Sequence, residues 1–293
     1  MFDARFIDTL LVAARDVQVR VDMPPGPPSP AVTRALRELL ARELEVEEVR
    51  AAIDRVLVLH AHDDAARRRL FALVGRRSAA PYHEMSYARA SALEGLRREA
   101  AADPARRAAL LGLLRRVIAE MPAGVDPWRS GLGAVVKVVD ELGGPAEVPV
   151  LLGLLATSEA SLAPHIVAAV AGHDVAQAVH AAHGQIDRMA DGRVAGDVGR
   201  YEALLLRADA REVAPALQRV LAREELDGSE RRRLRALIGY LTAGSEAARV
   251  RQIYAYVAAG GGLLPAVEAA LRTRHALDEA ALRRAHTAYW ARR

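Results

Sequence analysis

Apolar residues recur at every third or fourth position over most of the chain, which is the pattern of helices with one buried face. The clearest case lies between residues 142 and 155. Gly143-Gly144-Pro145 ends one helix there, because glycine can take the positive φ of a helix terminus and proline cannot continue a helix. A second helix follows, with Pro149 in its first turn and apolar residues at 148, 151, 152 and 155. The pattern therefore predicts a helix, a tight turn and a helix.

The same helix start returns later in the chain. Pro215 lies 66 residues after Pro149 in a similar setting, and helix starts are predicted near 145, 175–178, 211, 247 and 279. This spacing corresponds to one hairpin about every 33 residues. A single amphipathic hairpin cannot bury its apolar face alone, so regularly spaced hairpins are expected to stack on their neighbours. The sequence therefore predicts an all-α fold of stacked antiparallel helix hairpins.

Several segments resemble a known repeat family. The turn-Pro-x-x-Val-Pro-x-Leu pattern of residues 143–155, its echo at 209–221, and the helices at 87–96 and 235–241 look like the halves of short bacterial HEAT-like repeats, which have an armadillo-type fold. The resemblance extends over about residues 85–260. The signatures of ankyrin and tetratricopeptide repeats are missing. The resemblance implies a HEAT-like solenoid, an α-α superhelix whose concave side binds another macromolecule, and it carries over no catalytic residue.

The chain is predicted to have three parts. Residues 1–30 combine an amphipathic helix at 2–16 with a proline-rich spacer at 23–30 that cannot be helical. Residues 31–80 form a helical cap or diverged repeats, because terminal repeats are often atypical. Residues 81–293 form the HEAT-like solenoid.

Local signals place further elements within these parts. Apolar periodicity predicts helices at about 31–43, 46–60 and 64–75. Asp103-Pro104 starts another helix with a capping residue and a proline in its first turn. Residues 190–200 contain three glycines, and they are expected to form a loop or hinge.

Composition narrows the class of protein. Apolar residues make up 52% of the chain and charged residues 27%, which is typical of a folded protein and excludes a disordered one. Aromatic residues are only 4% and helix formers dominate, which favours the all-α interpretation. The chain has no cysteine, so disulfides and thiolate metal sites are excluded. It also has no apolar run of membrane-spanning length and begins with acidic residues, so we expect a cytoplasmic protein without membrane contact.

The charge of the chain is small and unevenly distributed. The formal net charge is +4, with an acidic middle between two basic flanks. Lys137 is the only lysine, so nearly all positive charge is arginine. A net charge of this size does not by itself make a protein that binds polyanions.

Arginines on two helices are the candidates for a binding groove. Arg231, Arg232 and Arg235 begin a helix that, in HEAT-like stacks, lines the concave side, and Arg283 and Arg284 lie on a neighbouring helix. Adjacent arginines on a helix diverge by about 100°, so most such pairs are expected to be solvated or paired with acids. If a basic groove exists, we expect it at these five residues.

Histidines and acids on one helix are weak candidates for a metal site. His180, His183 and Asp187 have the i, i+3, i+7 spacing that could bring them to one ion. Ligands from a single exposed helix make a weak site, so a solvated helix face is the preferred interpretation. The His60 to Asp64 stretch similarly predicts a helix end followed by a capped helix start. We therefore expect no metal and no cofactor.

Other catalytic patterns are missing or incomplete. His83-Glu84 is a single pair, whereas HEAT-repeat di-iron hydroxylases need several. Trp128 and Trp290 do not form a visible aromatic cradle of the kind found in HEAT-like alkylpurine DNA glycosylases. Gly260-Gly261-Gly262 precedes a helix, as an anion site would, but a turn is the preferred interpretation.

These observations favour a non-catalytic, monomeric scaffold or adaptor that binds a protein partner on its concave surface. The alternative is a nucleic-acid-binding HEAT-like protein, such as a relative of the alkylpurine DNA glycosylases. The two hypotheses predict different behaviour in salt, because phosphate binding weakens steeply as ionic strength rises.

Overall fold

The computed structural model describes residues 6–8, 12, 27–41, 46–76, 82–121, 130–158, 161–193, 198–208, 211–223, 226–263 and 265–291. All regular secondary structure in these ranges is helical, and they contain no strand. The predicted all-α class is therefore confirmed. None of the helices in these ranges combines the length and the apolar character that a bilayer span requires.

The chain divides into two compact units, residues 1–169 and 170–293. The first unit contains α1 (Pro30–Ala41), α2 (Glu47–Ala61), α3 (Asp64–Gly75), α4 (Tyr82–Ala102), α5 (Pro104–Ala119), α6 (Leu132–Leu142) and α7 (Val148–Thr157). Helix α8 (Ala163–His173) crosses the division. The second unit contains α9 (Val175–Ala190), α10 (Gly199–Ala208), α11 (Ala214–Leu221), α12 (Gly228–Thr242), α13 (Glu246–Ala258), α14 (Pro265–Arg274) and α15 (Glu279–Trp290).

The predicted helix starts are confirmed. Near residues 145 and 211 the chain forms the 3-10 helices Pro145–Glu147 and Arg211–Val213, and α7 and α11 follow directly with a proline in their first turns. Helices α9, α13 and α15 begin at the other predicted places, and the three helices predicted between residues 31 and 75 are present as α1, α2 and α3.

Little of the predicted N-terminal segment lies within the described residues. Phe6 to Asp8 and Val12 are helical, and Phe6 is buried. The rest of the predicted helix at 2–16 and residues 23–26 of the predicted spacer lie outside the described residues. Residues 27–29 of the spacer are not helical, as predicted, but the prediction is wrong for Pro30, which begins α1 because proline is accepted in the first turn of a helix. Residues 194–197 of the predicted loop also lie outside the described residues, whereas 191–193 form a turn after α9. The loop is shorter than predicted, because Ala190 ends α9 and Gly199 and Arg200 begin α10.

Acidic side chains cap many of the helices. At the start of α3 the Asp63 carboxylate accepts the N–H of Ala66 at 2.9 Å, and Asp103 caps α5 ahead of Pro104 as predicted. The other capping acids are Asp174, Asp227 and Asp278, before α9, α12 and α15. Each carboxylate satisfies backbone N–H groups that have no partner within the helix.

Gly143 ends α6 for a different reason from the one predicted. The expectation of a positive φ is wrong, because Gly143 has φ −73° and Gly144 has φ −161°. The N–H of Gly143 instead donates to the Val139 carbonyl at 2.8 Å, and a Cβ on Gly143 would lie 2.3 Å from that same oxygen. Glycine is therefore required at position 143 because the Val139 carbonyl leaves no room for a Cβ.

Alternate helices pack against each other in residues 1–169. Helices α2, α4 and α6 form one row and α3, α5 and α7 form a second row, while consecutive helices from α2 to α6 join the two rows. Ile53, Leu70, Leu93 and Leu114, one from each of α2 to α5, are at most 1% exposed. This two-layer packing is expected when amphipathic hairpins bury their apolar faces on their neighbours.

Residues 170–293 keep only part of this pattern, because among the described residues no comparable contact joins α11 to α13 or α12 to α14. Helix α9 packs on α11, α10 on α12, and α13 on α15. Helix α10 also packs on α14, four helices further along the chain. The interior of this unit therefore brings together helices that a strictly linear stack would keep apart.

Arg97 of α4 bonds Glu141 of α6 across 44 positions, but several other polar contacts between neighbouring hairpins have a nearly constant sequence separation. We call them polar ties, and their residues lie 32–35 positions apart. In the first unit they join Arg67 to Glu99, Arg107 to the Leu142 carbonyl and Arg115 to Glu147, and in the second unit Arg219 to Asp187 and Arg223 to the Met189 carbonyl. This separation equals the predicted hairpin spacing of about 33 residues.

Candidate functional site

The three candidate arginines of α12 have different roles. Arg231 donates to the carbonyls of Leu226 and Arg223 at 3.1 and 2.8 Å, so it holds the segment before the helix. Arg232 and Arg235 are exposed. Two of the three guanidinium groups are therefore at the surface, and the basic groove itself stays a prediction.

The two candidate arginines of α15 are paired with acids near the start of that helix. Arg283 lies 2.7 Å from Glu279 and Arg284 lies 3.6 Å from Asp278, and both arginines are more than 70% exposed. The hydrogen bond from Arg283 lowers the pKa of the Glu279 carboxyl. Exposed pairs of this kind contribute little to the stability of the fold.

The structure does not assemble the candidate metal ligands. On α9, His183 Nε2 lies 3.3 Å from Asp187 Oδ2, and the other oxygen of Asp187 accepts Arg219 at 2.7 Å. His180 is exposed. Among the residues that the structure describes, no three histidine or acidic side chains are placed to hold a metal ion. Asp187 therefore accepts the hydrogen bond of the polar tie from Arg219.

The predicted helix end and cap at His60 to Asp64 are confirmed. His62 ends α2 in the left-handed region at φ 50°, and its N–H donates to the Leu57 carbonyl. Asp63, and not Asp64, is the side chain that caps α3. The side chains of His83 and Glu84 lie outside the described residues.

A pocket of about 540 Å³ lies within the second unit, between the end of α13, the glycine segment (Gly260 to Gly262), α14 and α15. Its apolar lining includes Val257 and Leu282, which are buried. Its wall is aromatic, because His286, Tyr289 and Trp290 of α15 all line it. The ring centroids of Tyr289 and Trp290 are 5.2 Å apart in an edge-to-face arrangement.

The glycine segment shapes one side of this pocket. Gly260 has φ 90°, and a Cβ there would lie 2.6 Å from the Tyr289 ring. A Cβ on Gly261 would lie 2.1 Å from the Tyr256 ring, whereas a Cβ on Gly262 meets nothing within 4 Å. The predicted turn is therefore present, and its first two glycines are required by the tyrosines packed against them.

The charges of the pocket are balanced. Arg272 bonds Glu268 at 2.6 Å on α14, and Arg283 bonds Glu279 on α15. Arg272 also attracts Glu279, which adds to the lowering of the pKa of that carboxyl. Two cations and two anions therefore line an otherwise apolar and aromatic cavity.

Two polar clusters centred on buried residues, Glu202 and His275, lie in the same unit. The Tyr256 hydroxyl donates to Glu202, which is 2% exposed, and Arg233 Nε lies 3.7 Å from the same carboxylate. In the second cluster His275 lies between Tyr240 and Glu246, with distances of 3.0 Å to the hydroxyl and 2.6 Å to the carboxylate. These clusters connect α10, α12, α13 and the residue that follows α14.

Sequence reasoning missed both the pocket and the polar clusters. The spacing of His286, Tyr289 and Trp290 places three rings on one side of α15, and this spacing was the available signal. Glu202 interrupts an apolar stretch, which could have marked a buried acid. The partners of these residues lie on other helices, and no local pattern identifies them.

No protein-family model, curated protein or solved structure matches this chain. Its function must therefore be inferred from its own residues.

Proposed function

We propose that this chain is a non-catalytic HEAT-like repeat scaffold that binds a protein partner. The observation that supports it is the packing of alternate helices, complete from α2 to α7 and partial in the second unit, joined by polar ties at the hairpin spacing. Such packing fixes many side chains on long helical surfaces, which suits the recognition of a macromolecule. In a HEAT-like stack, the concave side would carry the binding surface.

The pairing of the arginines supports a protein partner over a nucleic acid. Arg97 and Arg98 both bond Glu94, and Arg106 bonds Glu99. Binding of a phosphate backbone requires cations that are free to replace counterions. Cations already matched with carboxylates favour a mixed protein surface, where polar and apolar contacts alternate.

The test is capture of a partner by the immobilised full chain, followed by reconstitution with the purified partner. We expect the dissociation constant to change by less than about 10-fold between 50 and 200 mM salt, whereas phosphate binding would change by about 10³-fold or more. A fluorescent DNA duplex and a fluorescent single-stranded RNA are titrated in parallel. Saturable binding of either with a steep salt dependence, and no reconstituted protein complex, would overturn the proposal.

The predicted groove is tested in the same assay. If the partner contacts α12, replacing Arg232 and Arg235 with serine weakens the reconstituted complex by about 10-fold. Arg98→Ser is the control, because Arg98 is exposed but paired with Glu94 in the first unit. If the double variant and Arg98→Ser bind the partner with equal affinity, the partner contacts a part of the scaffold other than α12.

A further inference from the structure

The pocket of the second unit has the size and lining of a ligand site. Its volume of about 540 Å³ lies within the range of about 300 to 1,000 Å³ that is usual for such sites. Trp290 is 56% exposed beside the buried Leu282, so an apolar surface faces solvent there. Covering an exposed tryptophan ring is a strong source of binding free energy.

The balanced charges exclude a simple ion as the preferred ligand. A free anion at Arg272 or Arg283 would lie close to Glu268 or Glu279, and a free cation would lie close to the arginines. The two arginines and two acids of the lining offer hydrogen-bond donors and acceptors together, and their formal charges cancel, while the His286 ring can donate or accept. This combination suits a neutral group that both donates and accepts, such as the amide of a peptide.

The third glycine leaves backbone within reach of a ligand. Gly262 is exposed and lines the pocket, and it has no side chain between its peptide groups and the cavity. Backbone N–H and C=O groups at an open site can pair with those of an incoming segment. The site therefore combines an apolar cavity for a side chain with polar groups for the amides beside it.

We infer that this pocket binds an aromatic or branched aliphatic side chain carried by a peptide segment of the partner. The inference rests on the proposed scaffold function, and it names the chemistry of the contact. The apolar side chain packs against Leu282 and Trp290. The flanking amides bond to the Arg–Glu pairs and to the backbone at Gly262.

The probe is N-acetyl-phenylalaninamide, added to the full chain carrying Trp128→Phe, which leaves Trp290 as the single tryptophan. We expect a saturable change in Trp290 fluorescence with a dissociation constant on the order of millimolar, as fits a ligand of this size. N-acetylglycinamide, benzoate and benzamidine are the comparison probes. Each is expected to bind about 10-fold more weakly or not at all.

The matched variants are Gly262→Leu and Gly184→Leu. Both glycines are exposed in the second unit and have no atom within 4 Å of an added Cβ, but only Gly262 lines the pocket. Gly262→Leu is expected to weaken probe binding by about 10-fold or more, and Gly184→Leu is expected to leave it unchanged. If Gly262→Leu does not fold, Trp290→Ala is measured by calorimetry and is expected to lose binding.

The inference is overturned if benzoate or benzamidine binds more tightly than the amide, or if N-acetylglycinamide binds as well. It is also overturned if no probe saturates by about 20 mM. These outcomes leave the scaffold proposal standing, because partner reconstitution is measured separately. Conversely, a reconstituted complex that Gly262→Leu does not weaken would overturn the pocket assignment alone.

Discussion

At the scale of single residues, close contacts and caps determine where the helices end. Gly143 and Gly144 are adjacent and both extended, yet only Gly143 is tightly enclosed, by Val139 and Glu147. Asp63 and Asp64 are likewise adjacent, yet only Asp63 accepts a backbone N–H. In each pair, the need for the residue can be tested by making the same substitution at its neighbour, which is of the same residue type.

Gly143→Ala is expected to destabilise the protein by about 2 kcal/mol or more, because the added Cβ collides with the Val139 carbonyl. Gly144→Ala is expected to be neutral or slightly stabilising, since its Cβ meets nothing and alanine restricts the unfolded chain. Urea unfolding followed by circular dichroism measures both. Equal effects of the two substitutions would show that steric contact is not what Gly143 avoids.

Asp63→Ala is expected to lower the free energy of unfolding by about 1 kcal/mol at neutral pH, because α3 loses its cap. The hydrogen bond from the Ala66 N–H lowers the pKa of the Asp63 carboxyl, so the stabilisation is present above its ordinary pKa and disappears as the pH falls through the lowered one. The difference between wild type and variant should therefore shrink in acid. Asp64→Ala is the control and should change stability by less than about 0.5 kcal/mol.

At the scale of the helices, the polar ties connect one hairpin to the next. Arg115 of α5 bonds Glu147 before α7, and the hydrogen bond raises the pKa of Arg115. Glu147 is 2% exposed, whereas Arg115 and its neighbour Arg116 are exposed. Loss of the arginine would thus leave a buried carboxylate without its cation.

Arg115→Ala is expected to destabilise the first unit by about 2 kcal/mol, a value reduced for the partial exposure of the arginine. Arg116→Ala, one position away, is expected to have little effect. Glu147→Gln combined with Arg115→Ala should recover part of the loss, because it removes the unpaired charge. Thermal and urea unfolding measure all three, and equal loss in Arg115→Ala and Arg116→Ala would show that the tie does not stabilise the stack.

The elements could be predicted from the sequence because their signals are local. Pro149, Pro215 and Asp103 mark helix starts within a few residues of the chain, and α7, α11 and α5 begin where these residues indicate. The buried contact of Tyr256 with Glu202 spans 54 residues. No local pattern encodes which distant side chain a buried acid will meet, so this cluster and the pocket beside it appear only in the folded chain.

At the scale of the whole molecule, ionised carboxylates support both units. The pKa values of five of them are lowered: Asp63, Asp174 and Asp227 by backbone N–H groups, Glu279 by Arg283, and Glu94, despite its burial, by Arg97 and Arg98. Asp54 is the opposite case, because burial raises its pKa despite the bond from Arg69.

The division of the chain near residue 169 was not predicted, since no proline or glycine cluster marks it.

The free energy of unfolding is expected to fall as the pH drops from about 5 to about 3. The five carboxylates with lowered pKa bind protons more readily in the unfolded chain, so acid favours unfolding. Asp54 acts in the opposite direction, because its carboxyl binds a proton more readily when folded. Urea unfolding at several pH values measures the free energy of unfolding that results from these opposing effects. A free energy of unfolding that is constant or rises in acid would contradict the prediction.

The nearly constant separation of the polar ties has a consequence for how the chain can change in length. A duplication or deletion between equivalent points of adjacent hairpins adds or removes one whole hairpin. Each arginine then still lies opposite its acceptor, and each apolar face still packs on the next. An insertion of any other length inside a hairpin would move the arginine away from its acceptor and turn the apolar face away from its neighbour. Lengthening by complete modules of about 33 residues is thus the evolutionary route that this architecture tolerates best.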